Sequence, residues 1–325
     1  MASFGDLRSV LQRAPSAQAW DAVCHTLSEL RDTDLDGVAV PYAQDHLSGW
    51  PDALRRAPLR WKDALARGAR LPFTPLVRVL DLTGEGLGNH DMLTLARAPV
   101  LEHLTALVLD DNDFGVAGLR HLLSSPGVST LRSLSLRRAR VHEAGLRELA
   151  SSAHLGGLEE LALEAASLGS VGIAPLAAAA SMPSLRALDL SHNGLNHEAG
   201  AALARGPLLA RLERLELGHN LLTFRGVMAM TRRGDMSSMR RLGLSANRLH
   251  GPAAEQLARC GALAHLADLD LSYNPVGAQG ALALSRSANL PQLARLDVRA
   301  CGVGELGERA LRESTHLGAL AELVI

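Results

Sequence analysis

One column of leucines constrains this chain more than any other feature. Leu80, Leu107, Leu134, Leu161, Leu188, Leu215, Leu242, Leu269, Leu296 and Leu323 follow one another at an unbroken spacing of 27 residues. Two residues after each stands another apolar side chain, from Leu82 through to Ile325. Three residues before each stands a third, from Val77 through to Leu320. Three apolar columns kept in register over ten units are an internal repeat, and a repeat of this length means stacked supersecondary units.

Each unit divides into two halves. Around the column leucine, apolar and polar residues alternate with period two, as in "LRALDL" at 185–190, which predicts a short strand with one buried face. Eleven residues after the leucine comes a small residue: Gly118, Gly145, Gly172, Ala199, Gly226, Ala253, Gly280 or Gly307. An apolar anchor follows four residues later, Leu122 in the second unit and Leu311 in the ninth, so the pair marks one face of a helix. The small residue is expected to let the helix lie close to the strand layer. No unit can bury its apolar face alone, and stacking the units makes one continuous core.

The columns match L-x-x-L-x-L-x-x-N/C-x-L, and the chain resembles the leucine-rich repeat proteins over roughly residues 72–325. The 27-residue unit with its helical second half is similar to the ribonuclease-inhibitor-like subclass. That subclass's namesake alternates two repeat types, whereas a single length is kept here. The resemblance implies an α/β solenoid of ten strand–turn–helix repeats, curved like a horseshoe, with a parallel sheet on the concave face. Parallel strands spaced ~4.8 Å apart extend that face over roughly 45 Å.

A further column holds Glu85, Asn112, Ala139, Ala166, Asn193, Asn220, Asn247, Asn274 and Cys301. An asparagine at this turn is expected to bond backbone groups of adjacent turns that cannot stay unpaired when buried. Ala139 and Ala166 cannot supply such bonds, which predicts a weaker stretch there.

Residues 1–71 do not follow the repeat. They read as amphipathic helical pieces broken at Pro15, Pro51 and Pro58, and they hold all three tryptophans, Trp20, Trp50 and Trp61. Solenoids need terminal caps, so this region is expected to cover the first strand, with the tryptophans in its core. It is also similar to helical regions that accompany leucine-rich repeats in some bacterial proteins. The acidic "RDTDLDG" reads as a solvated turn. It lacks the acid that a calcium loop needs at its twelfth position, which falls on Ala43. The domain expectation is a cap over 1–71 and a solenoid over 72–325.

The formal net charge of −1 argues against binding to nucleic acid or an anionic membrane, both of which need a basic surface. Cys24, Cys260 and Cys301 form no CxxC pair and no zinc-ligand spacing, so they read as reduced, mostly buried thiols. The first residues have no signal-peptide pattern, and the longest apolar run is too short for a membrane span, which together lead to a cytoplasmic expectation. No GxSxG, GxxxxGK[ST] or HExxH is present, and "GEGLGN" at 84–89 reads as a turn. No cofactor or metal is implied.

The residues flanking each column leucine, and those just after each strand, are expected on the concave face. That surface is polar and mixed in sign, which suits a protein partner better than a small molecule. The candidate anchors are Arg137, Arg138, Tyr273 and Arg299, with Glu164, Asp189, Glu216 and Asp270 setting charge complementarity. His192 and His219 occupy equivalent places in adjacent units. They read as exposed and, if paired, as a pH-sensitive edge. The last strand, "LAELVI", offers an edge through which two copies could pair.

The functional expectation is a non-enzymatic, protein-binding scaffold. The resemblance leaves two rivals, an enzyme inhibitor like the subclass's namesake and an activator of a small GTPase like the Ran GTPase-activating protein. A third type, the repeat-bearing ubiquitin ligases, would need a catalytic domain that has no counterpart in this sequence.

Overall fold

The computed structural model describes residues 2–30, 35–69, 71–169 and 172–325. The chain forms two compact units, residues 1–135 with 153–158, and residues 136–152 with 159–325.

The first unit begins with the non-repeat helices. Helix α1 (Phe4–Leu11) opens on a capping box, in which Ser3 Oγ accepts from the Asp6 N–H and Asp6 returns to the Ser3 N–H at 2.7 Å. Ser16 caps α2 (Ala17–Glu29). Residues 31–34 of the acidic stretch expected as a turn lie outside the described residues. Its last part is not a turn: Leu35 to Gly37 belong to a π-helical coil, Leu35–Ala39, that runs straight into α3 (Val40–His46). Helix α4 (Leu59–Ala66) follows Pro58.

Trp20, Trp50 and Trp61 are all buried among these helices. The Trp20 indole N–H donates to Arg56 O at 2.7 Å, and Trp61 stacks on Phe73 with ring centroids 3.7 Å apart. Each indole removes a large apolar area from water, which makes the three of them the main anchors of this core.

The same unit carries β1 (Val79–Asp81), β2 (Ala106–Val108) and β3 (Ser133–Ser135), with α5 (Asn89–Leu95) and α6 (Val116–Leu123) between them. The strands are parallel and in register, Leu80 beside Leu107 and Leu107 beside Leu134. The other edge of β1 is covered by the segment before α4. Ala57 N–H donates to Val79 O at 2.8 Å, and Arg55 O accepts from Arg78 and Val79. Arg55 is itself buried, its Nε donating to Leu76 O at 2.9 Å. Burial, with Arg78 close by, pushes its guanidinium pKa down to about 10.

The second unit continues with α7 (His142–Ser151), β4 (Glu160–Ala162), α8 (Ala174–Ala177), β5 (Ala187–Asp189), α9 (His197–Arg205), α10 (Leu208–Arg211), β6 (Arg214–Glu216) and α11 (Thr223–Arg233). Then come β7 (Arg241–Gly243), α12 (Gly251–Ala258), β8 (Asp268–Asp270), α13 (Gly277–Ser285), β9 (Arg295–Asp297), α14 (Gly304–Arg312) and β10 (Glu322–Val324). Strands β4 to β10 pair in chain order, again parallel, with the column leucines side by side from Leu161 to Leu323. This is the α/β leucine-rich repeat solenoid that the spacing implied.

The small-residue column does a different job from the one expected. Its close neighbours lie on the helix of the preceding repeat, not in the strand layer. A Cβ on Gly118 would stand 3.1 Å from Met92 Cγ on α5, and one on Gly307 would stand 2.9 Å from Ala281 Cβ on α13. The glycines set helix-to-helix spacing, which must shrink toward that of the strands for the units to stack.

The asparagine ladder is built as expected. Asn220 Nδ2 donates to the carbonyls of Leu190, Leu217 and Gly218 at 3.0, 2.9 and 3.1 Å. Its Oδ1 accepts from the N–H groups of Asn193 and Leu195, both at 3.0 Å. Asn112, Asn193, Asn247 and Asn274 donate in the same pattern. Cys301 keeps one of these bonds, Sγ to Leu271 O at 3.0 Å. At Ala139 the side-chain bonds are lost and only backbone bonds remain, of the kind that ladder turns also make, such as Val276 N–H to Asn274 O at 2.7 Å and Thr223 N–H to Asn247 O at 3.2 Å. Val141 N–H reaches Ala139 O at 2.9 Å, and His142 N–H reaches Ala166 O at 3.1 Å.

One feature of these turns has no signature in residue type. The residue just before the ladder position adopts a left-handed conformation in repeat after repeat: Asp111, Arg138, Ala165, His192, His219, Ala246, Tyr273 and Ala300 all have φ between 49° and 58°. None is glycine, so each carries the strain of a Cβ in that region.

Candidate protein-binding face

In the second unit the strand residues either side of the buried leucines point away from the helices. Their charges are largely matched within the face. Arg137 lies 3.3 Å from Asp189 and 3.6 Å from Glu164. Arg214 pairs with Glu160. Arg241 bridges Glu216 at 2.6 Å and Asp268 at 3.0 Å. Arg295 reaches Asp268, Asp297 and Glu322. A parallel register places equivalent residues of successive repeats next to one another, so opposite charges one repeat apart, as in Arg241–Asp268, or two repeats apart, as in Arg214–Glu160, meet on the face.

The acids after the column leucines have a second, local task. Asp189 Oδ1 accepts from the Ser191 N–H at 3.1 Å, Asp270 Oδ1 from Ser272 at 2.8 Å, and Asp297 Oδ1 from Arg299 at 3.1 Å. Each carboxylate closes the turn that ends its own strand, as short acidic side chains commonly do.

The sequence-predicted residues separate on this geometry. Arg299 is held by the buried carboxylate of Asp297, with Nε 3.0 and 3.1 Å from its two oxygens and Nη2 2.7 Å from Oδ2. That bond raises the Arg299 guanidinium above its ordinary range. Arg137, Glu164 and Asp189 form one cluster, and Glu216 belongs to another with Arg241. Arg138 stands on the turn beside Arg137 in the left-handed conformation, its N–H donating to Glu164 O at 2.8 Å. Tyr273 occupies the equivalent turn position five repeats later and is 61% exposed. It borders a shallow depression of about 410 Å³ that includes Pro275, Gly277 and Ala300.

His192 and His219 are exposed and stacked, with ring centroids 4.0 Å apart and planes inclined by 10°. The shared left-handed turn points both rings the same way, one strand apart. Among the described residues, no group of three His, Cys, Asp or Glu side chains is placed to hold a metal ion.

Glu216 is electrostatically perturbed by its place on the face. Burial pushes its carboxyl above the usual glutamate range, against the bond from Arg241 and with the help of Asp189 and Asp270. Arg241 moves up as well, because of that same bond to Glu216. The pair therefore favours the charged arginine, while desolvation dominates for the acid.

Sequence reasoning had not singled out Arg214, Arg241, Asp268, Arg295 and Asp297, which knit the face together. Their signal was present as neighbouring opposite charges one period apart, Arg241 to Asp268 and Asp268 to Arg295. The three cysteines are buried and form no disulfide, and burial raises each thiol. The arrangement offers matched charge, one exposed phenol and an imidazole pair on a fixed backbone. Among the described residues, no helix is long and apolar enough to cross a membrane.

Comparison with known proteins agrees on the repeat. A family described as "Leucine Rich repeat" matches residues 100–123, 181–204 and 262–285. No curated protein matches the chain. Similar solved structures include an internalin, inlF, from Listeria monocytogenes str. 4b F2365, at 15% identity and a TM-score of 0.38 over 78% of this chain and 88% of that one. Another is Listeria monocytogenes InlP, at 17% identity and a TM-score of 0.47 over 74% of this chain and 62% of that one.

Proposed function

We propose that this leucine-rich repeat protein is a non-enzymatic scaffold that binds another protein across the strand face of its repeats. The observation that supports the reading most directly is the separation of tasks within each unit. Leucines and asparagines hold the backbone, while polar and charged side chains, largely paired with one another, make up the face. Tyr273, exposed on a turn fixed by the ladder, is the kind of pre-set aromatic anchor that dominates protein interfaces. The mixed, polar character of the surface suits a protein partner better than a small molecule.

The test is capture of partners from native lysate on three baits. These are the parent, a face variant (Arg137→Glu, Arg138→Glu, Tyr273→Ala), and a helical-side variant (Arg259→Glu, Arg286→Glu). A partner held by the parent and the helical-side variant and lost by the face variant is the expected result. Equal capture by parent and face variant overturns the reading.

A further inference from the structure

The left-handed turn residues send their side chains off the strand ends in one row, and two of them show what planar groups do on neighbouring turns. His192 and His219 lie face to face, with ring centroids 4.0 Å apart and planes inclined by 10°. Parallel strands repeat every ~4.8 Å, so a ring on one turn stands at stacking distance from a ring on the next. Tyr273 has the same backbone conformation but no such neighbour. The turn positions on either side of it are Ala246 and Ala300, which end at Cβ, and among the described residues no aromatic ring stacks on it.

The space beside Tyr273 is open on the Ala300 side. The depression of about 410 Å³ lies there, bounded by Tyr273, Pro275, Gly277, Ala300 and Gly302. A Cβ on Gly277 or on Gly302 would meet no atom within 4 Å, and Pro275, Ala300 and Gly302 are themselves exposed. The lining carries no ionised side chain, and the guanidinium of the adjoining Arg299 is held by Asp297. The backbone beneath is fixed. Tyr273 N–H donates to Arg299 O at 2.8 Å, Gly277 N–H to Cys301 O at 2.9 Å, and the buried Asn274 ties the turn to the carbonyls of Leu244, Leu271 and Ser272.

We propose that a partner protein places an aromatic side chain in this slot, stacked on Tyr273 above Ala300, in the position that His219 holds beside His192. The chain already builds this ring-on-ring contact from its own residues at one pair of turns, and at Tyr273 the second ring comes from outside. A flat ring suits a slot one strand spacing wide, and it gains stacking in addition to the apolar area it covers. A charged group finds no opposite charge in the lining. A rigid ring on a turn that the ladder holds in place also loses little freedom on binding. This inference rests on the reading of the strand face and its turns as the binding surface, and it names the group that anchors there.

The test uses the full chain, ¹⁵N-labelled, titrated with three blocked tripeptides, Gly-Trp-Gly, Gly-Leu-Gly and Gly-Arg-Gly. The expected result is that the tryptophan peptide, at millimolar concentration, saturably shifts the amides of Tyr273, Gly277 and Gly302, with an affinity indifferent to salt. That affinity should fall about fivefold in Tyr273→Leu, which keeps apolar bulk and loses the ring. It should be lost in Ala300→His, which fills the slot from within, and kept in Ala165→His, the same change at a turn remote from the slot. Histidine already takes this turn conformation at 192 and 219, so the fold accommodates it. Parent-like affinity in either Tyr273→Leu or Ala300→His overturns the proposal. So does equal or tighter binding of the leucine or arginine peptide at those amides, and so does the absence of tryptophan binding. A partner captured by the parent and lost by the face variant, with no tryptophan binding here, removes the slot and keeps the face as the binding surface.

Discussion

The carboxylate of Glu216 lies across the α-carbon of Gly243, in the place where a side chain on β7 would stand. Replacing Gly243 with alanine pushes that carboxylate aside and strains its 2.6 Å pairing with Arg241. The expected cost is about 1 kcal/mol, from one partly exposed ion pair and one forced rotamer, read as a lower urea midpoint at unchanged slope. An unchanged midpoint means the Glu216 side chain has an equally good position elsewhere.

The same glutamate gives a pH signature. A carboxyl whose folded pKa is raised binds protons more readily folded than unfolded. Its contribution is fully present in acid and is lost as pH climbs from the ordinary glutamate range through the raised folded value. The stability of Glu216→Gln relative to the parent should therefore improve as pH rises through that window and level off above it. Urea denaturation from pH 3 to 8 checks this, and a trend of opposite sign means that the Arg241 bond outweighs burial.

The ladder predicts uneven protection along the chain. Asn220→Ala removes bonds to three carbonyls and two N–H groups at a buried turn. The expected loss is about 2–4 kcal/mol, given roughly 1–3 kcal/mol for each group left unpaired and some local re-pairing. In the parent, amides of the turns at 139–142 and 166–169 should exchange about tenfold faster than those at 193–195 and 220–222, as hydrogen exchange followed by NMR will show. Equal rates mean that the asparagine side chains add no protection beyond the backbone bonds that all these turns share.

Left-handed turns predict an inversion of the usual glycine effect. Ala165 and Ala300 sit at φ 53° and 54°. Glycine there relieves about 1–2 kcal/mol of strain against up to about 1 kcal/mol of extra unfolded-state entropy. Ala165→Gly and Ala300→Gly should each stabilise by roughly 0.5 kcal/mol, whereas Ala201→Gly, within α9, should destabilise by about 1 kcal/mol. Chemical denaturation of the three variants compares the signs directly.

The repeat made the strands, their register, the ladder and the buried tryptophans legible before any coordinates, because each depends on a periodic or strongly apolar signal. What stayed hidden depends on side-chain direction. Nothing in "SHN" or "SYN" marks a left-handed residue, since Asp, Arg, Ala, His and Tyr all take that position and the constraint comes from the turn itself. The small-residue column was visible, but which layer it faced was not, since a glycine records closeness and not its neighbour. Arg299 looked like a free anchor on the face, and only the geometry shows it held by Asp297 two residues away. The π-helical coil at 35–39 replaced part of an expected turn because Leu35, Ala39 and Val40 bury their side chains, a tertiary preference that overrides local acidity.

Every bond of the asparagine ladder joins residues 25, 27 or 30 apart, or neighbours within one turn. Removing one whole period from the middle of the array would bring equivalent atoms back to equivalent partners, whereas removing a single residue from a turn would misalign every contact across it. Length in this architecture can therefore change only in quanta, and each quantum adds or deletes one complete strip of the strand face together with the ion pairs that strip makes to its neighbours.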